Sequence, residues 1–201
     1  MISALAAVAA AYLLGAIPFG YLLVKWMTGR DVRASGSGNI GATNVLRTTG
    51  RLAGVATLLL DIGKGYLAVW IAEKLYPNCI CVASASALAV MAGHAFPVFL
   101  KFKGGKAMAS FVGAFLRLTP IPLAAVLAVF VVTVAVTRHI SVGSIVAAAT
   151  FPLAVWLILH PAWPVLAAAL IAGAFIVYRH KENMRRLHAG TESVFVFGSK
   201  R

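Results

Sequence analysis

The chain has 201 residues, of which 61% are hydrophobic and only 11% charged, and its mean hydropathy is +0.92. These values exclude an ordinary soluble domain and predict an all-α integral membrane protein. The net charge is +13, from 18 Lys and Arg against 5 acidic residues. Because the basic residues are divided among short loops, nucleic acid is excluded as a partner, whereas membrane lipid and phosphorylated substrates are favoured.

Seven apolar segments are predicted to cross the membrane, since a spanning helix needs about 17–25 residues. They cover residues 2–25, 53–75, 80–100, 107–122, 122–137, 141–159 and 163–179. The first segment lacks the basic start of a signal peptide and is therefore predicted to be retained. Residues 107–136 are too long for one span and short for two, and Thr119-Pro120-Ile121-Pro122 is the predicted break. The whole chain, residues 1–201, is predicted to form one transmembrane domain.

The orientation follows from the distribution of basic residues. Fifteen of the 18 Lys and Arg residues lie in loops on one side, and two, Lys74 and Arg117, lie on the other. The positive-inside rule places the first side in the cytoplasm. The N-terminus is therefore predicted to lie outside and the C-terminus in the cytoplasm, which requires an odd number of spans.

The first polar cluster is a glycine-rich stretch, residues 36–47, in an otherwise apolar chain. Three glycines let backbone N–H groups turn inward, as in anion-binding nests, and the Ser, Thr and Asn side chains add donors. A second cluster, residues 101–110, contains Gly104-Gly105-Lys106 before a helix, but it is not a Walker A loop. The bland alternative is a basic turn at the membrane surface. His94 precedes this turn, and a buried core histidine is the favoured interpretation.

The third cluster, residues 178–192, is predicted to continue the last helix into the cytoplasm, with His180 and Asn183 on one face. The alternative is a basic helix lying on anionic lipid.

Asp61 and Lys64 are three residues apart, so they share a helix face; an ion relay is one interpretation, and a buried pair that fixes packing is favoured. Cys79 and Cys81 lack partners at zinc spacing, so neither a metal nor a cofactor is predicted.

Together these clusters resemble the three cytoplasmic motifs of the bacterial acyl-phosphate:glycerol-3-phosphate acyltransferases, the PlsY type. Residues 36–47 are similar to the first motif, residues 93–106 to the second and residues 179–192 to the third. The chain departs from the family at residues 107–110, Ala-Met-Ala-Ser, where Gly-Val-Ala-Thr is more common.

The resemblance implies a seven-helix enzyme of phospholipid biosynthesis in the bacterial cytoplasmic (inner) membrane, with its active site facing the cytoplasm. It implies transfer of a fatty acyl group from acyl phosphate to the 1-hydroxyl of glycerol 3-phosphate, giving lysophosphatidic acid and phosphate. No His has an Asp five residues on, so direct transfer without a protein base is expected. The alternative, an acylated Ser37, predicts ping-pong kinetics. The sequence leaves the oligomeric state open and is compatible with a monomer.

The candidate site residues come from all three clusters. The catalytic candidates are Ser37, Arg47, Lys106, His180 and Asn183. The substrate-binding candidates are Gly38, Asn39, Gly41, Ala42, Thr43, Asn44, Gly104, Gly105, Ser141 and Ser144. The hypothesis is that residues 36–44 and Lys106 hold the acyl phosphate, while Arg47, His180 and Asn183 hold glycerol 3-phosphate.

Two other functions remain as alternatives. A small transporter of a phosphorylated or lipidic anion would need binding groups reachable from both sides, and the outer loops lack them. A phosphatidyltransferase or lipid phosphatase would need an acidic metal-binding cluster or a set of catalytic histidines, and the five acidic residues are scattered.

Overall fold

The computed structural model describes residues 3–195, and this part of the chain is all-helical. Its ten α-helices are α1 (Ala4–Ala16), α2 (Phe19–Thr28), α3 (Ala42–Thr48), α4 (Arg51–Leu75), α5 (Ile80–Ala95), α6 (Met108–Leu118), α7 (Pro120–Thr137), α8 (Ile140–Leu159), α9 (Trp163–Arg179) and α10 (Lys181–His188). Short 3₁₀ turns occupy Val32–Ala34 and Val98–Leu100. The helices form two compact units, one ending at Leu118 and the other beginning at Thr119. Whether they act as one domain stays a prediction.

In the first unit, α1 packs on α5 and α4 packs on α6. Glycines bring these helix backbones together: Gly15 lies against the backbone of Val90, and Gly65 lies against the carbonyl of Ser110. Because lipid tails are as apolar as leucine, close backbone packing of this kind is what associates helices in a membrane.

In the second unit, α8 packs between α7 and α9. Gly173 of α9 lies against the carbonyl of Ala148 on α8, so small residues set this helix spacing as well. The last two helices are bent by 47° at His180. The sequence predicted a continued helix here, and the structure instead ends α9 at Arg179.

Five helical segments are long and apolar enough to cross a membrane, and the bent α9–α10 pair makes a sixth if it counts as one span. The first of them, Ala4–Thr28, is interrupted before Phe19 because Pro18 has no N–H to donate to the helix. α6 has 11 residues, which at 1.5 Å per residue is about 16 Å, roughly half of a bilayer's hydrocarbon core. The predicted break at Thr119-Pro120 is confirmed, since α6 ends at Leu118 and α7 begins at Pro120.

Two glycine substitutions test this packing. A Cβ on Gly113 of α6 would collide with the carbonyl of Ile62, so Gly113→Ala is expected to destabilise the protein by about 1–3 kcal/mol. A Cβ on Gly63 meets no described atom within 4 Å; Gly63→Ala is therefore expected to gain up to about 1 kcal/mol from helix propensity. Thermal unfolding in detergent measures both, and equal melting temperatures would contradict the packing described.

Candidate active site

The glycine loop, residues 36–47, is built around the side chain of Asn44, which is 2% exposed. Its Oδ1 accepts the backbone N–H of Ser37 at 2.9 Å. Its Nδ2 lies within hydrogen-bonding distance of the carbonyls of Val32 (3.3 Å), Ser35 (3.1 Å) and Asn39 (2.8 Å). Asn44 was predicted to bind substrate, but here its amide fixes the shape of its own loop.

Two glycines in this loop have left-handed backbones, Gly36 at φ +60° and Gly38 at φ +69°. A Cβ on Gly36 would also collide with Oδ1 of Asn44. This conformation leaves the side chain of Ser37 exposed between the two glycines. Asn39 closes the turn by accepting the N–H of Gly41 at 2.7 Å.

The rest of the loop runs into α3. Gly41 is its N-cap, the half-buried Ala42 and Thr43 form its first turn, and Arg47 is exposed near its end. Before the loop, Asp31 accepts hydrogen bonds from the Arg33 guanidinium, the shortest 2.6 Å. This guanidinium holds the pKa of the Asp31 carboxyl below its usual value.

A small apolar cluster connects the glycine loop to the turn before α6. Its buried residues are Val24, Val32, Ile40, Val45, Ala53 and Leu100. Ile40 and Val45 belong to the glycine loop, and Leu100 lies within the second predicted motif, residues 93–106. The first unit therefore fixes both predicted motifs on one core.

The lysine turn, residues 101–107, has an unusual backbone. Lys101, Phe102 and Ala107 all have positive φ although none is glycine. The N–H of Gly104 bonds the carbonyl of Ala95 at 3.2 Å, and the N–H of Gly105 bonds the carbonyl of His94 at 3.0 Å. These bonds hold the turn against the end of α5 and leave Lys106 half-buried at its tip.

Ala107, which follows Lys106, is fully buried at φ +63°. A left-handed conformation costs an L-residue about 1–2 kcal/mol. The sequence departure at this position therefore places an alanine where the backbone favours glycine.

In the second unit, the carboxylate of Glu192 gathers three side chains. It accepts hydrogen bonds from Ser141 Oγ at 2.7 Å, Asn183 Nδ2 at 2.6 Å and Arg186 Nε at 2.7 Å. Ser141 and Asn183 were predicted site residues, and this acid brings them together. Glu192 was predicted to lie at the end of the third motif, residues 179–192, but no role was predicted for it.

The remaining predicted residues of this unit bond their own helices. Ser144 Oγ donates to the carbonyl of Ile140 at 2.9 Å. His180 is 3% exposed, and its Nδ1 lies 2.8 Å from the carbonyl of Ile176. Because a carbonyl only accepts, Nδ1 carries a proton in this contact.

The Glu192 carboxyl has a pKa below its usual value. Burial opposes this shift and is the largest single influence, but the hydrogen bonds from Asn183, Ser141 and Arg186, with the Arg186 charge, together outweigh it. The carboxylate therefore stays ionised at neutral pH.

Comparison with known proteins identifies the family. The model of the glycerol-3-phosphate acyltransferase family matches residues 5–190. The chain belongs to this family. Glycerol-3-phosphate acyltransferases of Trichlorobacter lovleyi and Geotalea daltonii are 50% and 47% identical to it, over 94% and 97% of this chain and 95% and 99% of theirs. The protein is thus an acyltransferase of phospholipid synthesis, and the transporter and phosphatase alternatives are set aside.

Two crystal structures of PlsY, an integral membrane glycerol 3-phosphate acyltransferase, share this fold. The glycerol 3-phosphate form superposes with a TM-score of 0.90 at 39% identity and covers 96% of each chain. The lysophosphatidic acid form has a TM-score of 0.87 at 37% identity, over 96% of this chain and 95% of that one. The present chain is accordingly a PlsY-type enzyme and a multi-pass integral membrane protein.

The Glu192 network predicts a pH-dependent contribution to stability. Since the pKa of Glu192 is lowered from 4.5 on folding, its contribution is complete above about pH 4.5 and declines as the pH falls through the lower folded-state value. Glu192→Gln should therefore lower the melting temperature at pH 7, and the difference from wild type should shrink below pH 4.5. Glu182→Gln is the control, because Glu182 is exposed and 3.4 Å from Arg185. If the difference in melting temperature between Glu192→Gln and wild type did not change with pH, the stabilising role of the ionised Glu192 carboxylate would be refuted.

Proposed function

We propose that the acyl donor is an acyl phosphate and that the acyl group passes directly to the 1-hydroxyl of glycerol 3-phosphate. The hydroxyl oxygen attacks the acyl carbonyl carbon, and the bond from that carbon to the phosphate oxygen breaks. The hydroxyl proton passes to a phosphate oxygen. The products are lysophosphatidic acid and inorganic phosphate, with no group on the protein acylated.

The observation that carries this proposal is the rigid glycine loop with the exposed Ser37. Asn44 fixes the loop from within, so its donors do not have to reorganise when an anion arrives. An acyl phosphate is already activated, so positioning and charge stabilisation are the main tasks left to the protein. We assign the acyl phosphate group to residues 36–44 and to Lys106.

On the basis of the sequence motifs, the acceptor is assigned to Arg47, His180 and Asn183. Arg47 is exposed and always charged, which suits the glycerol 3-phosphate phosphate group. We assign His180, whose ring is held by the contact of its Nδ1 with the carbonyl of Ile176, to the glycerol part of the acceptor. Glu192 holds Asn183 and Ser141 in place, which makes it a positioning residue.

We also propose seven crossings, with the N-terminus outside, the C-terminus in the cytoplasm and the site facing the cytoplasm of a bacterial inner membrane. The support is the excess of basic residues in alternate loops. It requires the short α6 to cross with help from its flanking residues or a locally thinner bilayer.

The donor assignment is tested with the purified protein in detergent. Palmitoyl phosphate with glycerol 3-phosphate should give lysophosphatidic acid, and palmitoyl-CoA with glycerol 3-phosphate should give none. Ser37→Ala and Lys106→Ala should each lower kcat/KM by at least about 10²-fold, as expected for the loss of a group that stabilises developing charge.

Matched controls lie within the same two loops. Ser35 contacts Asn44 through its backbone carbonyl, and Ser35→Ala keeps that carbonyl. Lys103 is an exposed lysine in the same turn as Lys106. Ser35→Ala and Lys103→Ala should therefore both keep near-wild-type activity. Formation of lysophosphatidic acid with palmitoyl-CoA but not with palmitoyl phosphate would refute the donor assignment. A trapped acyl-Ser37 with ping-pong kinetics would replace direct transfer by a two-step mechanism.

The two native cysteines test the orientation. Cys79 and the exposed Cys81 stand at the start of α5, which the proposed topology puts outside. A membrane-impermeant maleimide should label them in intact cells and not in inverted vesicles. Arg30→Cys in a variant with both native cysteines changed to serine should show the reverse pattern, and the same pattern for both sites would refute the topology.

A further inference from the structure

A buried ion cluster lies inside the first unit, formed by Asp61 and Lys64 of α4 and His94 of α5. Lys64 Nζ is 2.8 Å from Asp61 Oδ1, and His94 Nδ1 is 3.5 Å from the same oxygen. None of the three side chains is more than 4% exposed. Burying charged groups in a membrane-spanning segment is costly, and such groups are retained where they serve the function or organise the fold.

Lys64 connects this cluster to the interruption of the first span. Its Nζ donates to the carbonyl of Ile17 at 2.9 Å and lies 5.6 Å from the ring centroid of Phe19. Pro18 cannot donate an N–H, so the helix is broken here. Lys64 thus fixes the path of the chain between α1 and α2.

His94 connects the same cluster to the lysine turn. Its carbonyl accepts the N–H of Gly105 at 3.0 Å. Its ring also occupies the space beside Gly105, since a Cβ there would collide with His94 Nε2. The ring therefore lies between the two groups: its Nδ1 is on the side of Asp61, and its Nε2 faces the turn that carries Lys106.

We infer that Asp61, through the ring of His94, positions the Gly104–Gly105–Lys106 turn for catalysis. The sequence predicted a buried core histidine at His94 and favoured a packing pair at Asp61 and Lys64. The structure confirms that His94 is buried and that Asp61 contacts Lys64, and it places this cluster against the turn that carries Lys106. His94 and Asp61 are then positioning residues, and this inference rests on the proposed role of Lys106.

His94→Gln and Asp61→Asn test the inference in the palmitoyl phosphate assay, with kcat and both KM values measured for each variant. A purely structural loss lowers the amount of folded enzyme and leaves KM unchanged, whereas a displaced turn changes KM for a phosphate substrate. We expect KM to rise at least about fivefold for one substrate, or activity to be lost with the melting temperature unchanged. Ser86→Ala is the matched control, since Ser86 is buried on α5 two turns before His94; both KM values should stay at wild type.

A second pair of variants keeps the test decisive if His94→Gln folds poorly. Gly105→Ala introduces a methyl against the ring without removing a polar group, and His94→Ala removes the ring that it meets. If the ring of His94 positions the turn, the fold-loss of activity in the Gly105→Ala/His94→Ala double variant should be smaller than the product of the fold-losses in the two single variants. Multiplicative losses, together with unchanged KM values in His94→Gln and Asp61→Asn, would overturn the inference.

Lys106→Ala, assayed in parallel, separates the two proposals. If it retains full activity, the site assignment of Lys106 fails and the positioning role fails with it. If it loses activity while His94→Gln and Asp61→Asn match wild type, only the positioning role is wrong.

Discussion

Side chains from neighbouring helices bind backbone carbonyls where the helices of the first unit end, and the site depends on these bonds. Lys64 donates to the carbonyl of Ile17 at the break before Pro18, and Tyr12 Oη donates to the carbonyl of Phe96 at 2.7 Å, just after α5 ends. In lipid, an unsatisfied carbonyl costs several kcal/mol, so a helix cannot end there without such a partner. Because Gly104 and Gly105 of the lysine turn donate to the last carbonyls of α5, the bonds that fix the end of α5 also fix the position of the turn.

One polar side chain organises the site residues in each unit, and neither was predicted to do so. Asn44 binds four backbone groups between Val32 and Asn39, and Glu192, which follows α10, binds three side chains. Both are held from several directions, so the groups around them are fixed before substrate binds. This kind of preorganisation suits an enzyme whose substrate brings its own leaving group.

The sequence predicted what depends on local pattern. Five of the seven predicted spans, the Thr119-Pro120 break and the contact of Asp61 with Lys64 follow from composition, proline chemistry and helical spacing. The interruption near Pro18 was missed because an apolar stretch reads as one span whether or not its helix is continuous. The bend at His180 was missed because neither proline nor glycine marks it in the sequence. The roles of Asn44 and Glu192 depend on contacts across loops, which residue spacing does not encode.

Position 107 shows how narrowly a site of this kind limits change during evolution. Its backbone is left-handed and its side chain is fully buried, so a residue there must tolerate positive φ and occupy almost no volume. Glycine meets both demands, and alanine meets them at a modest cost that its buried methyl group partly offsets, since burying a methylene-sized group is worth about 0.8 kcal/mol. We therefore expect position 107 to accept glycine or alanine without moving the neighbouring Lys106, whereas a larger side chain would displace it.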